Sequence, residues 1–141
     1  MRYWDTSALL PLFVRQEATG EVRALYEADD RVSTWSLTDV EISSAFARLA
    51  RESWLSPLQH AELTKALDTM WRGVHLVDRL EAVRGRAKRC LRVHTLLAAD
   101  ALQLAAALVA SQDAPEGLEL VCLDRRLADA ARREGFPVLP G

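Results

Sequence analysis

The sequence predicts an α/β protein built on a short parallel sheet with helices on both faces. Three observations carry that expectation. Strand-like apolar runs alternate with helical patterns along the chain, as in units whose strands are joined by helical crossovers. Two of those runs, residues 2–5 and 118–124, end in aspartate and are followed at once by a helical pattern. Residues 96–109 form an alanine-rich apolar stretch whose single charge is Asp100, which describes a buried helix better than a surface one.

In chain order, residues 2–5 read as a strand. Residues 7–14 read as a brief helix disturbed by Pro11, and residues 17–28 as a second helix. Asp29 and Asp30 turn the chain into a strand over 31–35. Ser36, with Asp39 three residues on, has the form of a capping box. The helix it opens carries Ile42, Ala45, Phe46 and Leu49 at the i, i+3, i+4, i+7 spacing of a buried face. Ser56 followed by Pro57 is a cap with proline at the first helical position, starting a helix that runs to about residue 71. Gly73 breaks it, and residues 74–77 read as a strand. Asp78 with Glu81 suggests another capping box for a helix to about residue 93, and Thr95 a cap for the helix carrying Asp100. Glu116 and Gly117 lead into a strand over 118–123, then a helix over 125–134 stopped by Gly135, then a short final strand within 136–139.

With 141 residues and no repeat or linker of low complexity, the chain is expected to form a single domain, 1–141. Half of its residues are apolar, about a quarter are charged, and the net charge is −2. Any contact with a polyanion must therefore come from a local patch. The longest apolar stretch is too short to span a bilayer, and Asp5 interrupts any signal-peptide pattern. Cys90 and Cys122 lack metal-ligand spacing. No membrane association and a cytoplasmic, reduced setting are the expectations.

The chemistry lies in four acids, Asp5, Glu41, Asp100 and Asp124. Each has a structural explanation: Asp5 and Asp124 as helix caps, Glu41 as the partner of Thr38 in a capping box or as a solvated helix residue. Asp100 is the hardest to explain away, and Gln103 one turn on shares its side of the helix. Read together, Asp5 and Asp124 stand at the carboxyl ends of parallel strands, where ligands bind in such sheets. Several acids there without an assigned base point to a divalent metal. Mg²⁺ takes oxygen ligands and often joins carboxylates to substrate phosphate, and such ions activate water against a phosphodiester. Thr6 or Ser7 would add a hydroxyl that positions a carboxylate or a water. Ser7 has no nucleophile-elbow motif around it, and His60, His75 and His94 have no zinc-site spacing.

Four segments carry a family resemblance. Asp5-Thr6-Ser7-Ala8-Leu9 resembles the opening motif of PIN-domain nucleases, and Thr38-Asp39-Val40-Glu41-Ile42 their second acidic motif. Residues 97–105 resemble the third, with Gln103 where the family often has histidine. Val121-Cys122-Leu123-Asp124-Arg125-Arg126 resembles the fourth, with Cys122 where many relatives have threonine or serine. Size and pattern most resemble the VapC-type toxins of toxin–antitoxin pairs. The resemblance implies a three-layer α/β/α sandwich and cleavage of single-stranded RNA dependent on Mg²⁺ or Mn²⁺. It further implies a homodimer and a VapB-type antitoxin. Transferred position by position, it makes Asp5, Glu41, Asp100 and Asp124 the metal-binding acids and Ser7 or Thr6 the accessory hydroxyl.

Two rivals stand beside this reading. An aspartyl-nucleophile phosphatase using Asp5 would be expected to show Asp-x-Asp, and Ser7 stands at its second position. A binding module that holds RNA or protein without cutting would be expected to lack an acid, and none is missing. The basic run Arg84, Arg86, Lys88, Arg89 and Arg92 reads as a solvated face or a phosphate-contacting patch. Arg125 and Arg126 are better placed to reach substrate, or else cover helix termini. Trp35, Trp54 and Trp71 are expected in core or interface, and Trp4 as core filler.

Overall fold

Five parallel strands form the centre of the molecule, in the spatial order β3-β2-β1-β4-β5. The computed structural model describes residues 1–141. The strands are β1 (Arg2–Trp4), β2 (Val32–Trp35), β3 (His75–Val77), β4 (Leu120–Val121) and β5 (Val138–Leu139). Seven helices flank them: α1 (Thr6–Leu9), α2 (Thr19–Ala28), α3 (Thr38–Arg51), α4 (Pro57–Trp71), α5 (Leu80–Val93), α6 (Ala98–Ala110) and α7 (Arg125–Glu134). Short 3-10 turns at Leu10–Leu12 and Pro115–Gly117 complete the path.

Neighbouring strand residues point to opposite faces, because side chains alternate along a strand, and this divides the core. Trp4, Val32 and Val121 pack with Leu9, Val22, Ile42, Phe46 and Leu67 from α1 to α4 on one face. Tyr3, Trp35 and Leu120 pack with Val83, Cys90, Leu104, Leu108 and Leu127 from α5 to α7 on the other. Helices on both faces of a parallel sheet make the expected three layers. Trp4 fills core as anticipated, fully buried with its ring edge-on to Tyr26.

Several expected boundaries shift, each for a local reason. Pro11 does disturb the first helix, which turns from α1 into a 3-10 turn around it. The second helix starts at Thr19 rather than 17, because the Thr19 hydroxyl is engaged with Gln16 N and Pro11 O. The capping box at Ser56 is present, its hydroxyl taking Gln59 N and the Gln59 side chain returning to Ser56 N. The other expected boxes do not form. Ser36 donates its amide to Val77 O in the sheet region, and α3 begins after Leu37 without a side-chain cap. Glu81 pairs with Arg84 instead of returning to the helix start, so α5 is uncapped by Asp78. Helix α6 begins after Leu97, too far along for Thr95.

The strand expected over 118–123 contracts to β4 because both its ends are committed elsewhere. Leu118 N bonds back to Pro115 O in the 3-10 turn, and Leu123 N bonds to the Ser7 hydroxyl. Gly135 stops α7 as expected, in the left-handed region at φ 104°, where a side chain would be strained. No single helix is long and apolar enough to cross a membrane.

Candidate active site

Strand order sets the location of the site. From β1 the chain builds outward to β2 and β3 on one side, then returns to place β4 on the other. The crevice between β1 and β4 is therefore a topological switch point, where open parallel sheets bind ligands. Asp5 and Asp124 flank it, immediately after those two strands.

Both aspartates cap the helices that follow them, so their structural explanation holds as well. Asp5 Oδ2 accepts from Ser7 N at 3.2 Å, and Asp124 Oδ1 accepts from Leu127 N at 3.0 Å. Capping does not remove the burial cost at Asp5, which is only 3% exposed. Desolvation, opposed by hydrogen bonds from Ser7, lifts its carboxyl to about 7, and the charge of Asp124 adds to the rise. A carboxylate in that condition has no basic partner.

Ser7 ties the crevice shut at its base. Its hydroxyl accepts from Leu123 N at 2.9 Å and Asp124 N at 3.1 Å, which uses both lone pairs. Its proton is then committed to Asp5 Oδ1 at 2.8 Å. The buried Cys122 thiol donates to Asp124 O at 3.3 Å.

Glu41 and Asp100 close in from α3 and α6. Glu41 accepts from Thr6 Oγ1 at 2.7 Å and from Gln103 Nε2 at 3.0 Å. Asp100 is half-buried in the first turn of α6, and its carboxylate has no hydrogen-bond partner in the protein. Burial raises its pKa, the charges of Asp124 and Glu41 raise it further, and Arg126 partly offsets them. All four acids thus come from separate elements to one crevice and feel one another. With the side chains as they stand, no three of them close around a single point. Oxygen-only donors, mutual repulsion and uncompensated burial nonetheless match the needs of a hard divalent cation, which keeps several waters and relieves just such repulsion.

Gln103 is the residue whose importance the sequence understated. It is 2% exposed and sits at the centre of a polar network. Its Oε1 accepts from Tyr3 OH at 2.7 Å. Its Nε2 reaches Thr38 Oγ1 at 2.9 Å and Thr6 Oγ1 at 3.1 Å as well as Glu41. Thr38 in turn meets Thr34 Oγ1 at 2.9 Å, which donates to Trp4 O. Thr38 therefore serves this network rather than a capping box with Glu41. The network joins β1, β2, α1, α3 and α6 beneath Glu41. The shared side of Gln103 with Asp100 and its place in the third resembled motif were visible in the sequence, but its partners were not.

The basic run lies on the solvated side of α5, and three of its five charges are paired. Arg84 pairs with Glu81, Arg86 with Asp113, and Arg89 with Glu134 at 2.7 Å, leaving Lys88 and Arg92 without acidic partners. Arg125 and Arg126 form no ion pair. Trp35 is buried and Trp71 packs at the edge of the core, whereas Trp54 is 74% exposed and fills none. A cavity of about 820 Å³ beside Arg31, Gly73 and His75 lies at the opposite ends of the strands from the acids.

Comparison with known proteins agrees with the architecture. The model of the PIN domain matches residues 2–133. Ribonuclease VapC45 and Ribonuclease VapC49, from two strains of Mycobacterium tuberculosis, are each 29% identical over 138 residues, covering 98% of this chain and 94% of theirs. Among solved structures, PAE2754 from Pyrobaculum aerophilum is similar with a TM-score of 0.60 at 22% identity, over 92% of this chain and 84% of that one. FitAB bound to an IR36 DNA fragment gives 0.63 at 18%, over 98% of this chain and 93% of that one. At such identities the two structures speak for the fold alone.

Proposed function

Because this chain belongs to the PIN domain family, we propose that it is a metal-dependent endoribonuclease, the toxin of a VapBC-type pair. The observation that carries the reading is the convergence of four acids, from four elements, on the switch-point crevice without a basic group to neutralise Asp5. The names of the two mycobacterial relatives support RNA as the substrate. Single-stranded regions of RNA are the substrate proposed, since an unpaired strand can bring a phosphate to the crevice from the open side of the sheet. A VapB-type antitoxin, a homodimer and a cytoplasmic setting complete the proposal, by likeness to the same relatives.

Asp5, Glu41, Asp100 and Asp124 are the residues that would hold Mg²⁺ or Mn²⁺. When bound, the ion supplies an activated water and neutralises charge developing on the phosphodiester. The protein supplies the positioning. Ser7 fixes the Asp5 carboxylate by two hydrogen bonds and holds the backbone of Asp124 against it. Thr6 and Gln103 fix the two oxygens of Glu41. Thr6 is a positioning hydroxyl in this arrangement, as is Ser7. Asp100 alone is free to turn toward whatever enters the crevice.

The test is cleavage of a single-stranded RNA by the purified chain, freed of any antitoxin. Cutting is expected with Mg²⁺ or Mn²⁺, is expected to stop with EDTA, and should leave 5′-phosphate and 3′-hydroxyl ends. Asp100→Asn should abolish it while the protein stays folded. Cutting that persists in EDTA and leaves 2′,3′-cyclic phosphates would overturn the mechanism. No cutting under any metal would favour the binding module.

A further inference from the structure

A second polar hollow lies beside the acid crevice, and none of the acids belongs to it. It measures about 270 Å³ and is lined by His94 and Thr95, from the link between α5 and α6, and by one face of α7. On that face Arg126, Asp129, Ala130 and Arg133 recur at the i, i+3, i+4, i+7 spacing of a single helical stripe. Ala130 carries only a methyl group, which leaves room between the two arginines. Neither arginine has an acidic partner, while the one acid in the hollow, Asp129, is already engaged by Arg132.

His94 forms the wall of the hollow opposite α7. Its side chain is 7% exposed, and Nε2 is bound to Glu134 Oε1 at 2.7 Å. Its other nitrogen, Nδ1, is buried without any partner in the protein, an uncommon condition for a buried polar atom. The hollow thus gathers two unpaired guanidinium groups and a free hydroxyl, with the His94 ring held in its wall by Glu134. Arg126 also borders the crevice, since its charge acts on Asp100. Arg133, seven residues further, lies about 10 Å along the helix axis.

We propose that this hollow is a subsite for the backbone phosphates of the RNA strand that flank the scissile one. A lone small anion would need one of the two arginines; a run of phosphates leaving the crevice along α7 uses both. Arginine suits phosphate through its planar fork of donors. The subsite sets where the strand lies and contributes to binding rather than to the bond-breaking step. The proposal rests on the ribonuclease reading above.

The experiment measures binding of a fluorescein-labelled single-stranded RNA oligonucleotide by anisotropy in EDTA, across a salt series, together with cleavage in Mn²⁺. Arg126→Gln with Arg133→Gln should weaken binding roughly tenfold at low salt, and each lost contact should flatten the slope of log affinity against log salt by about 0.7. KM should rise while kcat at saturating RNA changes little, and Arg133→Lys should keep most of the slope. Replacing single flanking phosphates by neutral methylphosphonates should weaken wild-type binding at one or two positions and leave the double variant indifferent there. If wild type binds and cuts RNA but the double variant matches it in affinity and slope, the subsite is refuted and the nuclease reading stands. If the double variant loses only inhibition by inorganic phosphate, the hollow is a free-anion site and the proposal fails. If wild type neither binds nor cuts RNA, the nuclease reading itself has failed.

Discussion

Replacing Ser7 by alanine separates positioning from chemistry. The hydroxyl accepts two backbone amides, Leu123 N at 2.9 Å and Asp124 N at 3.1 Å, and donates to Asp5 Oδ1 at 2.8 Å. Alanine leaves both amides without a partner and deprives a buried carboxyl of one of its two donors. An unsatisfied buried donor costs about 1–3 kcal/mol. Leu123 and Asp124 are half-buried, so water recovers part of that cost, and about 2–4 kcal/mol in total is the expected loss. In a chain of this size about 1 kcal/mol corresponds to roughly 3–4 °C, so the melting temperature should fall by about 6–16 °C. The assay is thermal unfolding in EDTA, beside RNA cleavage in Mn²⁺ at a temperature where both proteins are folded. Cleavage should fall as well, because Asp5 and Asp124 lose the tie between them. A variant that melts within a degree or two of wild type yet no longer cuts would refute the reasoning. The hydroxyl would then act on the reacting groups and not on the crevice.

Asp5 gives the metal-free protein a distinctive pH profile. Its folded carboxyl sits at about 7, above the unfolded value near 4, so the native state holds a proton that the unfolded chain releases. Stability is then fullest below about pH 4 and declines as the pH rises to about 7, by up to about 4 kcal/mol from this one group. Asp5→Asn should flatten that decline, whatever its absolute stability, and urea unfolding from pH 4 to 8 in EDTA reads the slope; equal slopes in both proteins would exclude Asp5 as the source. Gln103→Leu should cost about 2–4 kcal/mol by stranding Tyr3, Thr38 and Glu41 partners together, whereas Tyr3→Phe should cost less. Urea midpoints that rank the two the other way would show that the network is not centred on Gln103.

The sheet and the placing of Asp5 and Asp124 at strand ends were legible because their signals are local. An apolar run ending in aspartate and leading straight into a helix marks both Asp5 and Asp124, and the Ser56-Pro57 cap is complete within four residues. Two of the failed caps lost their groups to distant partners: Ser36 its amide to Val77 O, and Thr38 its hydroxyl in part to Gln103. The positioning network was not legible for the same reason. Tyr3 and Gln103 are a hundred residues apart in the chain, and nothing in either neighbourhood announces the other. The basic run was legible as a solvated face, but its pairing was not. Its charges are conspicuous in the sequence, yet Asp113 and Glu134, which neutralise two of them, stand well downstream.

The bond between Ser7 and the backbone of residues 123 and 124 has a consequence for the chain as it is made. Synthesis runs from the amino terminus, so β1 and β2 can pair early while the other wall of the crevice does not yet exist. Asp100 arrives with α6, and Asp124 only after β4 has docked beside β1. Contacts of such long sequence separation form late and slowly. A ribosome-bound chain therefore carries Asp5 and Glu41 but no working crevice until residue 124 has emerged and found Ser7. On the toxin reading, the ribosome must carry the chain through β4 before the protein can act on RNA, and a partner made at the same time has that interval in which to meet it.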